Sequence, residues 1–154
     1  FEVARTIKMK DKLMDERVLE KFEIERKYWD RKGIQWGIVT EEEIDKTMAR
    51  NISYIHDYYE INDYDMFQQL NAQHIEDLAM SLLNRLLDSS ISIRTITNEF
   101  DIDTHLPIGS GVTLLYHLLA RKIIVIDMHK PINLEQSIEI KYIDESSLKK
   151  VKYG

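Results

Sequence analysis

Glu25 sits where a carboxylate is costly. At about 100° per residue, Val18, Phe22, Glu25 and Trp29 fall on one stripe of a helix. The other three are large and apolar, so the stripe is expected to be buried. A buried charge must be paired or hold a metal. One reading pairs Glu25 with a helix neighbour such as Arg26 or Lys21. The five histidines, at 56, 74, 105, 117 and 129, form no HxH, HExxH or other close ligand pair, which argues against zinc. Gly109-Ser110-Gly111 lacks the lysine of a phosphate-binding loop and reads as the start of a helix. Tyr28, Trp29 and Trp36 read as core rather than as a base-stacking platform.

The elements that must position these residues follow from local signals. Asp15 is placed as an N-cap and Gly33 as the residue just past a helix end. Ile34 to Val39 is short and β-rich and reads as a buried strand. Thr40 with Glu43 makes a capping box expected to restart a helix. Phe1 to Met9 reads as a strand, and its period of two puts Ala4, Thr6 and Lys8 on one face. Arg5, Lys8, Lys10 and Lys12 make a basic run of the kind usually found on a solvated loop.

Further along, Ile44, Met48, Ile52, Ile55 and Tyr59 recur at helical spacing from Glu41, with Asp45 able to restart the helix after a kink. Residues 60–71 break the periodicity. The spacing predicts helices over Asn71–Ser89, over Ile93–Phe100 capped by Ser92, and over Gly109–Arg121, with a loop from Asp101 to Pro107. Ile123–Ile126 and the alternation at Ile138, Ile140 and Tyr142 predict two strands. Three helices, a strand, a turn and a strand is the order of a winged helix. The tail from Ser146 to Gly154 is polar and expected to fray. On the third helix, Val112, Leu115, Leu118 and Leu119 are expected inward. Ser110, Thr113, Leu114, Tyr116 and His117 are expected outward, a surface poorly suited to reading bases and better suited to a protein partner.

Composition sets bounds. The chain has 154 residues and the apolar and charged fractions of a globular protein. It has no cysteine, which excludes disulfides and thiolate metal sites and fits a reducing compartment. No apolar run approaches the roughly 18 residues of a membrane span, and no signal peptide is visible. It begins with Phe1 rather than Met, which suggests part of a longer protein. The net charge of −6 is unevenly spread. Residues 1–32 hold ten Lys/Arg and eight Asp/Glu, whereas the remainder holds eleven and nineteen, so any DNA contact is expected at the N-terminal end.

DERVLEKFEIERKYW, followed by GIQW and TEEEI, resembles the TnsA endonucleases of bacterial heteromeric transposases, gap-free from Ala4 to about Ile55 and more loosely beyond. The resemblance implies an α+β, mainly helical chain. Residues 1–44 would be the end of a restriction-endonuclease-like α/β domain. Residues 45–63 would be a bridging helix and linker, and 64–154 a winged-helix-like domain for protein docking. The family joins an upstream Glu and Asp to a Gln-x-Lys strand, which here reads Thr6-Ile7-Lys8. Lys8 matches the family lysine. Thr6 stands where glutamine is expected, and metal contact at that position would come from its hydroxyl or its backbone carbonyl. Glu25 would face this strand and orient Lys8 or a metal-bound water. The upstream acids have no counterpart. Glu2, Asp11 and Asp15 do not occupy the family's positions.

A Mg²⁺ cofactor is implied, with its principal ligands upstream of this chain, so the chain alone is expected to be inactive. The implied role is metal-dependent cleavage of transposon-end DNA at the 5′ ends. A DDE-type partner transposase (TnsB-like) would act at the 3′ ends, and an AAA+ ATPase regulator (TnsC-like) would dock on the C-terminal domain. The expected setting is the bacterial cytoplasm, with no membrane contact. The competing readings are a non-catalytic winged-helix adaptor and a DNA-binding regulator.

Overall fold

The computed structural model describes residues 2–87 and 90–144 as two compact units, 1–46 and 47–154. The expected fraying of residues 146–154 lies outside the described residues, as does the end of the helix predicted to reach Ser89. The chain is a mixed α/β protein, mainly helical.

The first unit is a strand–helix–strand unit. Strand β1, Val3–Ile7, pairs in parallel with β2, Gln35–Val39, and helix α1, Glu16–Arg31, connects them. A parallel pair needs such a crossover because its strands run in the same direction. The ends of α1 match the sequence signals. The Asp15 carboxylate accepts from the Arg17 N–H at 3.0 Å. At the other end Gly33 takes φ +67°, and the Gly33 and Ile34 N–H groups return to the carbonyls of Asp30 and Trp29. That double closure is a Schellman motif, and the left-handed residue it needs favours glycine. Val18 and Phe22 are buried, while Glu25 and Trp29 are half-buried. The second strand is half-buried rather than buried, with Ile38 exposed.

The Thr40–Glu43 box forms, the Glu43 carboxylate accepting from both the N–H and the hydroxyl of Thr40. These bonds hold the Glu43 carboxyl below its ordinary value. The box closes a turn, however, and the next helix starts only at Lys46, directly after Asp45.

The second unit is built on helices. Helix α2 covers Lys46–His56, a short α3 Asp65–Gln68, α4 Ala72–Leu87, α5 Ile93–Thr104 and α6 Ser110–Ala120. The segment expected to bridge the two parts contributes Ile55 and Ile61 to the core of this unit. Within it the Asn51 side chain donates to the carbonyls of Met128 (3.0 Å) and Lys130 (2.8 Å). Strand β3, Ile124–Val125, pairs antiparallel with β4, Tyr142–Ile143. None of the helices formed by the described residues is long and apolar enough to cross a membrane.

Three expectations need correction. Residues 101–104 are helical, because Asp101 is an anchor rather than a loop residue. Its carboxylate is buried and accepts from the Gly109 N–H (2.7 Å) and the Gly111 N–H (2.6 Å) at the start of α6. The helix closes one turn later at His105, in the left-handed conformation. Second, the alternation at Ile138 and Ile140 does not make a strand. Nearby, the Leu134 and Gln136 carbonyls accept from the Arg94 and Ile93 N–H groups, which ties this stretch to the free first turn of α5.

Third, α6 has no outward face. Ser110, Thr113, Leu114, Tyr116 and His117, expected on its surface, are all buried. A helix apolar nearly all round belongs in an interior, and two of its polar side chains find carbonyl partners there. The Ser110 hydroxyl donates to the Pro107 carbonyl at 2.6 Å, and His117 donates through Nδ1 to the Tyr58 carbonyl at 3.0 Å. Burial pushes the His117 imidazole below its ordinary value, toward the neutral form.

Candidate functional site

The parallel register sets the face that carries the candidate residues. Thr6 stands beside Ile38 and Ala4 beside Trp36. Along β1 and just past its end, Ala4, Thr6 and Lys8 are half-buried while Val3, Arg5 and Ile7 are exposed, so Thr6 and Lys8 share the covered face. Helix α1 reaches Thr6 through Glu25.

The Thr6 hydroxyl donates to a Glu25 carboxylate oxygen. The Trp36 indole N–H lies 3.0 Å from that hydroxyl and 3.3 Å from the same carboxylate oxygen, donating to both. The Trp36 ring is placed by Phe22, 5.8 Å away between centroids and tilted by 55°. Glu25 is therefore not bound to Arg26 or Lys21. Arg26 instead pairs with Glu23 at 2.9 Å, joined there by Lys27 at 3.2 Å.

Lys8 occupies the next inward position after Thr6. Its backbone N–H donates to the Val39 carbonyl at 3.0 Å, and its ammonium has no hydrogen bond or ion pair among the described residues. The other members of the basic run are engaged. Lys10 pairs with Glu42 at 2.7 Å, Lys12 with Asp11 at 3.5 Å, and the Arg5 guanidinium donates to the Gln35 carbonyl at 3.2 Å. The structure thus joins Thr6 to Glu25 directly and puts Lys8 on their face. An unpaired ammonium presented at the end of a strand can stabilise a negative charge such as a phosphate.

These residues do not by themselves make a magnesium site. Among the described residues no three His, Asp or Glu side chains gather closely enough to hold an ion. The Thr6 hydroxyl gives its one proton to Glu25 and spends a lone pair on Trp36. One carboxylate and one such hydroxyl are too few oxygen ligands for Mg²⁺.

Trp36 is the site residue that sequence reasoning missed. A signal was present: a half-buried tryptophan must find an acceptor for its N–H, and an apolar stripe interrupted by Glu25 offered one.

Comparison with known proteins gives the family. The family model for the TnsA endonuclease C terminal matches residues 43–128, and the model for the TnsA-like endonuclease N terminal matches residues 1–41. The chain belongs to the TnsA endonuclease family. A particular relative is the Transposon Tn7 transposition protein TnsA of Escherichia coli, 27% identical over 141 residues. That alignment takes in 92% of this chain and 49% of the relative, so the chain spans about half the length of the curated protein it matches.

Proposed function

We propose that this chain works within a transposon-end DNA endonuclease, carrying the strand that brings a lysine to the scissile phosphate. The observation that carries the reading is Lys8, just past β1 on the face where Thr6 meets Glu25 and with an ammonium that has no partner among the described residues, in a chain of the TnsA family. In this reading the protein is a metal-dependent nuclease that cuts at the 5′ ends of the element in cut-and-paste transposition. A DDE-type transposase acts at the 3′ ends. Lys8 supplies a fixed positive charge near the phosphate. The Mg²⁺ ligands come from acidic residues outside these 154, as the restriction-endonuclease-like pattern implies. A bacterial cytoplasmic setting goes with this role.

The test uses the purified chain and a plasmid bearing a transposon end, with Mg²⁺ or Mn²⁺. The chain alone should not nick it, whereas the intact protein assembled with its partner transposase should cut the 5′-labelled end. Metal-dependent, end-specific nicking by the chain alone would place a complete site within it. No cleavage by the intact assembly would sink the nuclease reading.

For the second unit we propose protein docking through a winged-helix-like domain, with an AAA+ regulator as partner. Three observations support this over a DNA reader. Helix α6 is enclosed and offers nothing to a groove. An apolar groove instead runs between α2 and β3, where Met48, Ile52, Tyr59 and Val125 are exposed. Residues 33–154 are also acidic, whereas non-specific DNA affinity needs clustered Lys/Arg. Titrating the chain with the regulator and with duplex DNA at about 150 mM salt separates the readings. Tight DNA binding with a steep salt slope, and none to the regulator, would favour the DNA-binding regulator. A chain that binds the regulator, from a parent that never cleaves, would favour the non-catalytic adaptor.

A further inference from the structure

We infer that Trp36 is a positioning residue: its indole N–H, shared between the Thr6 hydroxyl and the Glu25 carboxylate, clamps both to one geometry beneath strand β1. The inference rests on the nuclease reading only for its consequence in catalysis; the clamp itself rests on the geometry.

The three groups meet at a single carboxylate oxygen of Glu25. An indole has one donor and no acceptor, so Trp36 can serve only by giving its N–H. It gives it at 3.0 Å to Thr6 and at 3.3 Å to Glu25. The hydroxyl receives that proton on one lone pair and directs its own proton to the same carboxylate oxygen. Glu25 therefore takes two donors on one oxygen, from two different strands, while its own backbone belongs to α1. Rotation of any one side chain breaks two contacts. Neighbouring hydrogen bonds of this kind polarise and reinforce one another.

The consequence concerns Thr6 more than Trp36. The resemblance makes position 6 a candidate metal contact. The structure gives its hydroxyl a different occupation, holding Glu25 in place. Lys8 follows two residues on, just past β1 and on the same face, so a fixed Thr6 helps fix the direction from which the lysine projects. In this arrangement Thr6 and Trp36 act through Glu25 and β1 and touch no substrate.

The experiment has two arms. In the first, the chain is labelled with ¹⁵N-tryptophan, which gives two indole signals, assigned by Trp29→Phe. Thr6→Val and Glu25→Gln should each move the Trp36 indole proton resonance, with loss of its protection from solvent exchange in Thr6→Val. Thr6→Ser, which keeps the hydroxyl, should restore both, and the Trp29 signal should stay in place throughout. A Trp36 signal indifferent to both Thr6→Val and Glu25→Gln would overturn the clamp, whatever the fate of the nuclease reading.

In the second arm, Trp36→Phe keeps an aromatic ring at the position that faces Phe22 and removes the N–H together with part of the indole. In transposon-end cleavage by the intact assembly it should lower kcat about tenfold with KM unchanged. Wild-type kcat in Trp36→Phe would overturn the positioning role. If the wild-type assembly itself never cuts DNA while the indole signals respond as expected, the nuclease reading fails and the clamp is upheld.

Discussion

Lys8→Ala will lower 5′-end cleavage by the intact protein about 10²- to 10³-fold, the usual loss when one preorganised charge-stabilising donor is removed. The protein should fold as before. The only bond Lys8 makes among the described residues is from its backbone N–H to Val39, and alanine keeps that N–H. Melting temperature should therefore stay within about 2 °C, in line with the small effect of changing a side chain that holds nothing. Lys8→Arg preserves charge but replaces a compact ammonium with a planar fork, so it should recover only part of the rate. Glu25→Gln provides a graded comparison, expected to slow cleavage about tenfold as an orienting group would. The measurement is single-turnover cleavage of an end-labelled duplex. A Lys8→Ala rate near wild type would remove this lysine from the chemistry.

The largest stability effect is expected at the contact between α5 and α6. The Asp101 carboxylate holds the Gly109 and Gly111 N–H groups, and Gly111 lies against the backbone of Thr97. Asp101→Ala would leave the buried Gly111 N–H and the half-buried Gly109 N–H without their acceptor, each costing about 1–3 kcal/mol. Gly111→Ala would put a Cβ 2.9 Å from the Thr97 carbonyl oxygen and 3.1 Å from its Cα. Neither is a flexible side-chain end, so the helices must part, at about 1–3 kcal/mol. At about 4–8 °C per kcal/mol for a unit of this size, Asp101→Ala should lower the melting temperature by roughly 10 °C or more and Gly111→Ala by roughly 5–20 °C. The double variant should lose less than the sum, because both changes act on the same turn. Thermal unfolding followed by circular dichroism reads this directly. An Asp101→Ala protein melting with the wild type would show that the buried carboxylate does not hold α6.

What could be read from the sequence was whatever is encoded locally. Asp15, Gly33 and the Val18–Phe22 stripe define α1 because caps and periodicity act within one helix. The shared face of Thr6 and Lys8 followed from the period of two in a strand. The same residues carried the family resemblance, and the family models match it. What stayed hidden depended on partners distant in sequence. Glu25 was recognisable as an anomaly, but its acceptance from Thr6 and Trp36 needed the parallel register. Polarity at Ser110, Thr113 and His117 suggested a wet face, because sequence cannot show that Pro107 and Tyr58 offer carbonyls inside. The Ile138–Ile140 alternation looked like a strand because nothing local shows that neighbouring carbonyls are taken by the first turn of α5.

The enclosure of α6 also orders the molecule in time. Amide protons on a helix walled in on every side exchange only through large opening events, so α6 should carry the slowest-exchanging amides of its unit. The β1–β2 pair is different in kind: two strands under one helix, a size of sheet that is marginal alone. Its amides should exchange through smaller, more frequent openings. Lys8 thus lies at the end of an element expected to open more readily than α6, and anything that adds strands to this sheet or seats DNA against it would slow that opening where the chemistry is proposed to occur.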